Sequence, residues 1–197
     1  MKLPRTSSVT TVALIAAVCT LLVATLWLMA QSGIKRAESQ RFQQQLAEVL
    51  SDVSFNNNIT EDTHEVDSVH GSVTVYRARQ NDQPVAAVYD ATTLRGYSGA
   101  IRVLTGINIA GEITGVRVIS HRETPGLGDS IEITRSDWIK GFDQLSLDKL
   151  LPADWQVKKD GGSFDQFTGA TITPRAIVNL VNDMLQLHHK EATLVFQ

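Results

Sequence analysis

The chain has 197 residues, 43% of them hydrophobic and 20% charged, with a formal net charge of −3. That balance supplies no basic surface for nucleic acid, and no nucleic-acid partner is expected. The single cysteine, Cys19, falls in an apolar run, so the rest of the chain has no disulfide, no thiol catalysis and no Cys-based metal site, and any redox chemistry there needs a bound cofactor.

In chain order the first element is that apolar run. No charged residue occurs from Thr6 to Ile34, and Val9 to Ala30 is almost continuously apolar. As a helix these residues span roughly 33 Å, enough to cross a bilayer core of about 30 Å. A cleaved signal peptide has a shorter apolar core, roughly 7–15 residues, and wants small residues before its cut, where Leu28 precedes Ala30. Cys19 follows Val18 in mid-run, which does not suit a lipoprotein cleavage site. An uncleaved anchor is therefore expected. Lys2 and Arg5 before it and Lys35 and Arg36 after it leave the local charge bias weak. The expected division is a cytoplasmic N-terminus at 1–8, a transmembrane helix at 9–30, a juxtamembrane helix and linker at 31–58, and an exported domain at 59–197. Behind the anchor lie about 160 residues, one domain's worth.

Lys35 to Ser51 reads as a polar helix with Phe42, Leu46, Val49 and Leu50 on one face, and Asn56-Asn57-Asn58 breaks it. Strand patterns appear next at Ser72 to Ala78, Val85 to Tyr89, Ala100 to Ile107 and Glu112 to Ser120, the last two joined by a hairpin turn at Ala110-Gly111. Asp137 to Leu150 reads as mixed and partly helical, with Trp138 and Phe142 facing the core. Pro174 to His188 carries an amphipathic stripe of Ile177, Val178, Leu180, Val181, Met184 and Leu185. Thr173 is its expected N-cap and Pro174 its expected first residue. The fold class is α+β, an antiparallel sheet with a few helices behind a single anchor.

Two segments carry the candidate chemistry. His121-Arg122-Glu123-Thr124-Pro125-Gly126-Leu127-Gly128 ends a strand with a proline and two glycines, a composition that lets backbone approach a flat ligand and that also suits a plain tight turn. Its glycine spacing matches neither a dinucleotide fingerprint nor a phosphate loop, and the His121/Glu123 pair is too sparse for a metal, so no metal site is expected. Asp165-Gln166-Phe167-Thr168-Gly169-Ala170-Thr171 sets small residues between two hydroxyls just before a helix. A helix start has free N–H groups and a positive dipole end, which favour phosphate, and it is equally the setting of an ordinary N-cap. No catalytic acid–base pair is evident.

With the anchor, Gly96-Tyr97-Ser98-Gly99, Glu123-Thr124-Pro125-Gly126-Leu127-Gly128 and Asp165-x-x-Thr168-Gly169-Ala170-Thr171 in this order, the chain resembles the G-subunit family of Rnf-type ion-translocating electron-transport complexes. More broadly it is similar to the FMN-binding domain shared with the C subunit of sodium-pumping NADH:quinone oxidoreductases. The resemblance covers nearly the whole chain, and the short length favours the Rnf-type family. It implies FMN moved from FAD by a dedicated flavin transferase onto Thr171 as a phosphoester. Thr168 would be the accessory hydroxyl, Gly169 and Ala170 the small residues between, and Asp165 an acid read by the transferase. Gln166 stands where the family pattern has a small residue. The loop of Thr124, Pro125, Gly126, Leu127 and Gly128 would lie against the isoalloxazine ring, with Thr124 and Leu127 the foremost contacts. Arg175 is chemically suited to the phosphate, although nothing in the family pattern names it. The implied protein is an electron carrier in the bacterial inner membrane, its domain in the periplasm, working as one subunit of a translocating oxidoreductase with little activity alone.

Two other classes fit the α+β pattern: an anchored, non-redox sensor or ligand-binding domain, and a self-contained flavin reductase. The first takes up no FMN when made alongside the transferase; the second turns over substrate as an isolated domain.

Overall fold

The computed structural model describes residues 8–196; the expected cytoplasmic segment, with Lys2 and Arg5, lies almost entirely outside the described residues. A single helix, α1 (Ser8–Val49), opens the chain. Packing divides the molecule into two compact units, residues 1–44 and 45–197. In the first, Val9–Gln31 has a mean hydropathy of 2.5 and none of its most apolar stretch is buried. An apolar helix with every face uncovered is stable in hydrocarbon and costly in water.

The second unit is built on a five-stranded antiparallel meander in the order β1-β2-β3-β4-β5. Its strands are β1 (Thr63–Ser68), β2 (Gly71–Gln80), β3 (Gln83–Thr93), β4 (Ile101–Asn108) and β5 (Ile113–Ser120). The last four match the apolar strand patterns in the sequence. The edge strand β1, Thr-His-Glu-Val-Asp-Ser, escapes such a reading because Val66 is its only apolar residue. The β4–β5 turn closes at Gly111, whose φ of +79° suits glycine.

Alternate residues of the strands face opposite sides. Val73, Val75, Tyr89, Ile101, Val103 and Ile107 join one core with Ile177, Leu180, Val181 and Met184 of helix α2 (Ile172–Val195). On the other side, the tail of α1 from Gln45 onward packs down, with Leu46, Val49 and Leu50 buried. Glycine makes that contact possible: Gly106 and Gly115 pair across β4 and β5. A methyl group on Gly106 would sit 2.6 Å from the Val49 side chain, and one on Gly115 2.9 Å from the Val49 carbonyl oxygen. The Thr114 hydroxyl donates to that same carbonyl at 2.8 Å, satisfying an acceptor that a helix C-terminus leaves open.

The stretch from β5 to α2 is held by short 3-10 helices rather than long elements. One of them, Asp137–Phe142, is capped by Ser136, whose hydroxyl accepts the Trp138 amide. Phe142 is fully buried, and Trp138 packs edge-on against it with ring centroids 5.4 Å apart.

Candidate functional site

Three connections that are far apart in sequence meet at the N-terminus of α2: the β3–β4 loop with Gly96–Gly99, the loop after β5, and the turn before α2. Together with Lys159 they form a cavity of about 510 Å³, lined by Tyr97, Glu123, Thr124, Leu127 and Gly128 and by Gly169, Ala170, Thr171, Ile172 and Thr173.

Glu123 ties these walls together. It is 4% exposed; one carboxylate oxygen accepts the Ser98 amide at 2.9 Å, and the other accepts the Thr173 hydroxyl in a short hydrogen bond. One carboxylate thereby links all three segments, and with each oxygen accepting a hydrogen bond it is spared the cost of burying an unpartnered polar group. Glycine again permits the close approach. A methyl on Gly96 would lie 2.9 Å from Glu123 Oε1, and one on Gly128 would lie 2.8 Å from Glu123 Cβ. The rest of the loop is a tight turn: the Leu127 and Gly128 amides donate to the Thr124 carbonyl at 3.1 and 3.0 Å, and the Gly126 amide donates to Asp129 Oδ1 at 2.8 Å. Leu127 is left 45% exposed at the cavity mouth. His121, upstream, is engaged with Glu132 at 2.6 Å.

The facing wall is a turn from Phe167 to Ala170, closed by the Ala170 amide donating to the Phe167 carbonyl at 3.1 Å. Gly169 holds φ +80° there, a conformation in which a side chain is strained, and a methyl on it would reach 3.5 Å from Leu127. Beneath the turn Phe167 stacks edge-on against Trp138 at 5.1 Å. The Trp138 indole N–H donates to the Asp165 carbonyl at 2.8 Å. An aromatic floor thus fixes the turn while its upper side, with Thr168 and Gly169, is exposed.

The start of α2 differs from the sequence expectation. Thr171, not Thr173, occupies the N-cap position, and its side chain makes no capping hydrogen bond. Thr173 is the second helical residue; its hydroxyl is drawn away by Glu123, which no local pattern reveals. Pro174 stands third instead of first, still in the turn where a missing N–H costs nothing. Among the described residues the Thr171 hydroxyl has no hydrogen-bond partner; Thr171 lines the cavity ahead of a helix that lacks a side-chain cap.

Of the residues singled out in the sequence, Thr124, Leu127, Gly128, Gly169, Ala170 and Thr171 line the cavity together. Pro125 and Gly126 form the exposed back of their turn, Thr168 the exposed corner of the other, and Asp165 pairs with Lys158 at 2.6 Å. Arg175 turns to Asp160, in a two-point ion pair at 2.6 and 3.0 Å. The Asp160 carboxyl is held below its ordinary range chiefly by that guanidinium. Tyr97, Glu123, Lys159, Ile172 and Thr173 were not singled out as liners. The first two stand in motifs already noted, whereas nothing local in the sequence points to Lys159.

A model of the FMN-binding domain matches residues 96–186, which contain every residue lining the cavity. The G subunit of the ion-translocating oxidoreductase complex of Salmonella typhi is 47% identical over 174 residues, 87% of this chain and 84% of that protein. The corresponding G subunits of Escherichia coli K12 and Haemophilus influenzae Rd are 46% and 42% identical, covering 87% and 84% of this chain and 84% and 81% of their own lengths. The chain belongs to this G-subunit family. Its cavity fits the cofactor of the matched domain: the volume is in the range of small-molecule sites, roughly 300–1,000 Å³. Tyr97, Leu127 and Ile172 offer apolar surface to a flat ring, and an open hydroxyl at a helix start suits a phosphate.

Proposed function

We propose that this chain is a membrane-anchored electron carrier with FMN attached covalently through Thr171, one subunit of an ion-translocating oxidoreductase complex. The observation that carries this reading is the uncapped Thr171 hydroxyl on the wall of a cavity whose opposite side is the Thr124–Gly128 loop. The anchor spans 9–30, the linker runs over 31–58, and the FMN-binding domain over 59–197, on the periplasmic side of the inner membrane.

Maturation needs a flavin transferase with FAD as donor. The Thr171 Oγ forms a bond to the phosphorus of the FMN half, the pyrophosphate bond breaks, AMP leaves, and the hydroxyl proton passes to solvent. Flanking residues favour that chemistry. Gly169 and Ala170 leave the hydroxyl accessible, exposed Asp165 and Thr168 present a recognition edge, and the positive end of α2, which starts at Ile172, would help to neutralise the phosphate. Thr124, Leu127 and Gly128 would seat the ring, and Glu123 holds their loop to Ser98 and Thr173. Bound there, FMN accepts and passes on electrons, while the protein supplies position and tuning. A covalent link through the phosphate end suits an exported domain, since a dissociated cofactor would be lost to dilution. The membrane partners are the other subunits of the complex, and activity belongs to that assembly.

Intact-mass analysis of the chain made with and without the transferase tests this. A gain of FMN minus water on the peptide containing Thr171, abolished by Thr171→Ala in a folded protein, is the expected result. A Thr171→Ala protein that keeps flavin fluorescence in a denaturing gel overturns the assignment.

A further inference from the structure

We propose that Lys159 is the counter-charge of the flavin phosphate, carried on a hydrogen-bonded strap that Asp165 and Gln166 fasten beside Thr171. The proposal rests on the FMN reading above and assigns to the phosphate a partner different from Arg175.

The strap is the loop from Gln156 to Phe164. It is closed by the Lys158 amide donating to the Phe164 carbonyl at 2.7 Å and the Phe164 amide donating to the Gln156 carbonyl at 3.1 Å. Gly161 holds φ +94°, and a methyl on Gly162 would fall 2.1 Å from the Gln156 carbonyl oxygen, so this compact turn depends on glycine at both positions. Its tip is bonded to the segment just before Thr171 at two places. Lys158 pairs with Asp165 at 2.6 Å, and the Lys159 amide donates to Gln166 Oε1 at 3.1 Å. The glutamine that stands where a small residue is expected thereby holds the backbone of Lys159 in place.

Charge decides between the cations. Lys158 is neutralised by Asp165 and Arg175 by Asp160. Among the described residues, Lys159 makes no ion pair, although its field helps to lower the neighbouring Asp160 carboxyl, and it alone of the three lines the cavity. Esterified to threonine, the phosphate of FMN becomes a diester with one negative charge. One ammonium without an ion-pair partner, lining the same cavity as Thr171, matches it, and a charge-assisted contact of this kind is stronger than a neutral one.

Lys159 is exposed, so Lys159→Met leaves the fold intact. The test uses the full chain in detergent, made without the transferase, and titrates it with FMN and with riboflavin, which has the same ring and no phosphate. The wild-type chain is expected to hold FMN more tightly than riboflavin, increasingly so at low salt. Lys159→Met should lose about tenfold in FMN affinity and leave riboflavin unchanged, with Lys159→Arg close to wild type. An unaltered FMN-to-riboflavin ratio in Lys159→Met overturns the proposal, as does a wild-type chain that holds the two flavins equally or holds neither. Failure of the covalent reading is seen separately, as a wild-type chain that gains no FMN mass beside the transferase.

Discussion

The two ends of α2 each contain a buried polar pair, and they are put to opposite uses. At the N-terminal end Thr173 donates to Glu123, a carboxylate that also holds the Ser98 amide and lines an open cavity. Toward the C-terminal end His188 meets the Tyr89 hydroxyl at 2.9 Å, sealed between β3 and the helix with Phe196 edge-on at 5.7 Å. The first pair joins segments far apart in sequence beside the Thr171 hydroxyl. The second, buried, fastens the helix to the sheet. Similar chemistry yields a site in one place and a clamp in the other. The difference is that Gly96 and Gly128 let backbone close in on Glu123 at the edge of a cavity, whereas His188 is packed between the rings of Tyr89 and Phe196.

Breaking the site end is expected to have the larger effect. Glu123→Ala leaves the Thr173 hydroxyl and the Ser98 amide without their acceptor and opens a void, at a cost of about 4 kcal/mol. Glu123→Gln should cost far less, because its carbonyl can still accept the amide and the threonine hydroxyl can rotate to accept from the side-chain NH₂. Urea unfolding of the full chain in detergent, followed by tryptophan fluorescence, checks the order. Equal midpoints for Glu123→Ala and wild type would show that the three segments hold together without this carboxylate.

The clamp end should reveal itself through pH. Burial pushes the His188 imidazole from 6.5 down to about 4, with His189 adding to the shift; burial likewise pushes the Tyr89 hydroxyl up. A group whose folded value is lowered contributes its stability above the unfolded value and loses it on acidification. The contribution is therefore complete above about pH 6.5 and drains away between there and about pH 4, amounting to roughly 3 kcal/mol at most. The midpoint measured at about pH 7.5 and about pH 4.5 should fall in wild type and fall less in His188→Leu, by the histidine's share. Parallel falls in both proteins would place the acid sensitivity elsewhere.

How legible these features were in the sequence depends on the range of the forces behind them. Strands β2 to β5 and the stripe of α2 are set by local periodicity, and they stand close to where the pattern puts them. The polar edge strand β1 buries too little to leave such a mark. Thr173-Pro174 has the local look of a helix start, yet the helix begins earlier because Glu123, fifty residues upstream, claims the threonine. Arg175, in the first turn of α2, is the cation the sequence puts forward for a phosphate, and Lys159 is not; the folded strap from Gln156 to Phe164 gives Asp160 to the first and the cavity to the second. Motif residues could be read from the chain; the residues that hold them in place could not.

The smallest effect tests how much of the open wall depends on a single backbone angle. Gly169 at φ +80° forms the corner between Thr168 and Ala170. Alanine there meets Leu127 only at 3.5 Å, ordinary contact, so the penalty is conformational and should be about 1 kcal/mol. Asparagine, which tolerates the left-handed region better, should recover part of it. The Thr171 hydroxyl lies immediately beyond this corner, so Gly169→Ala should slow flavin attachment, measured as the loaded fraction against time by intact mass, more than its small shift in urea midpoint suggests. If loading keeps pace with wild type while the midpoint falls, the turn serves stability alone and accessibility of the hydroxyl comes from the uncapped helix start.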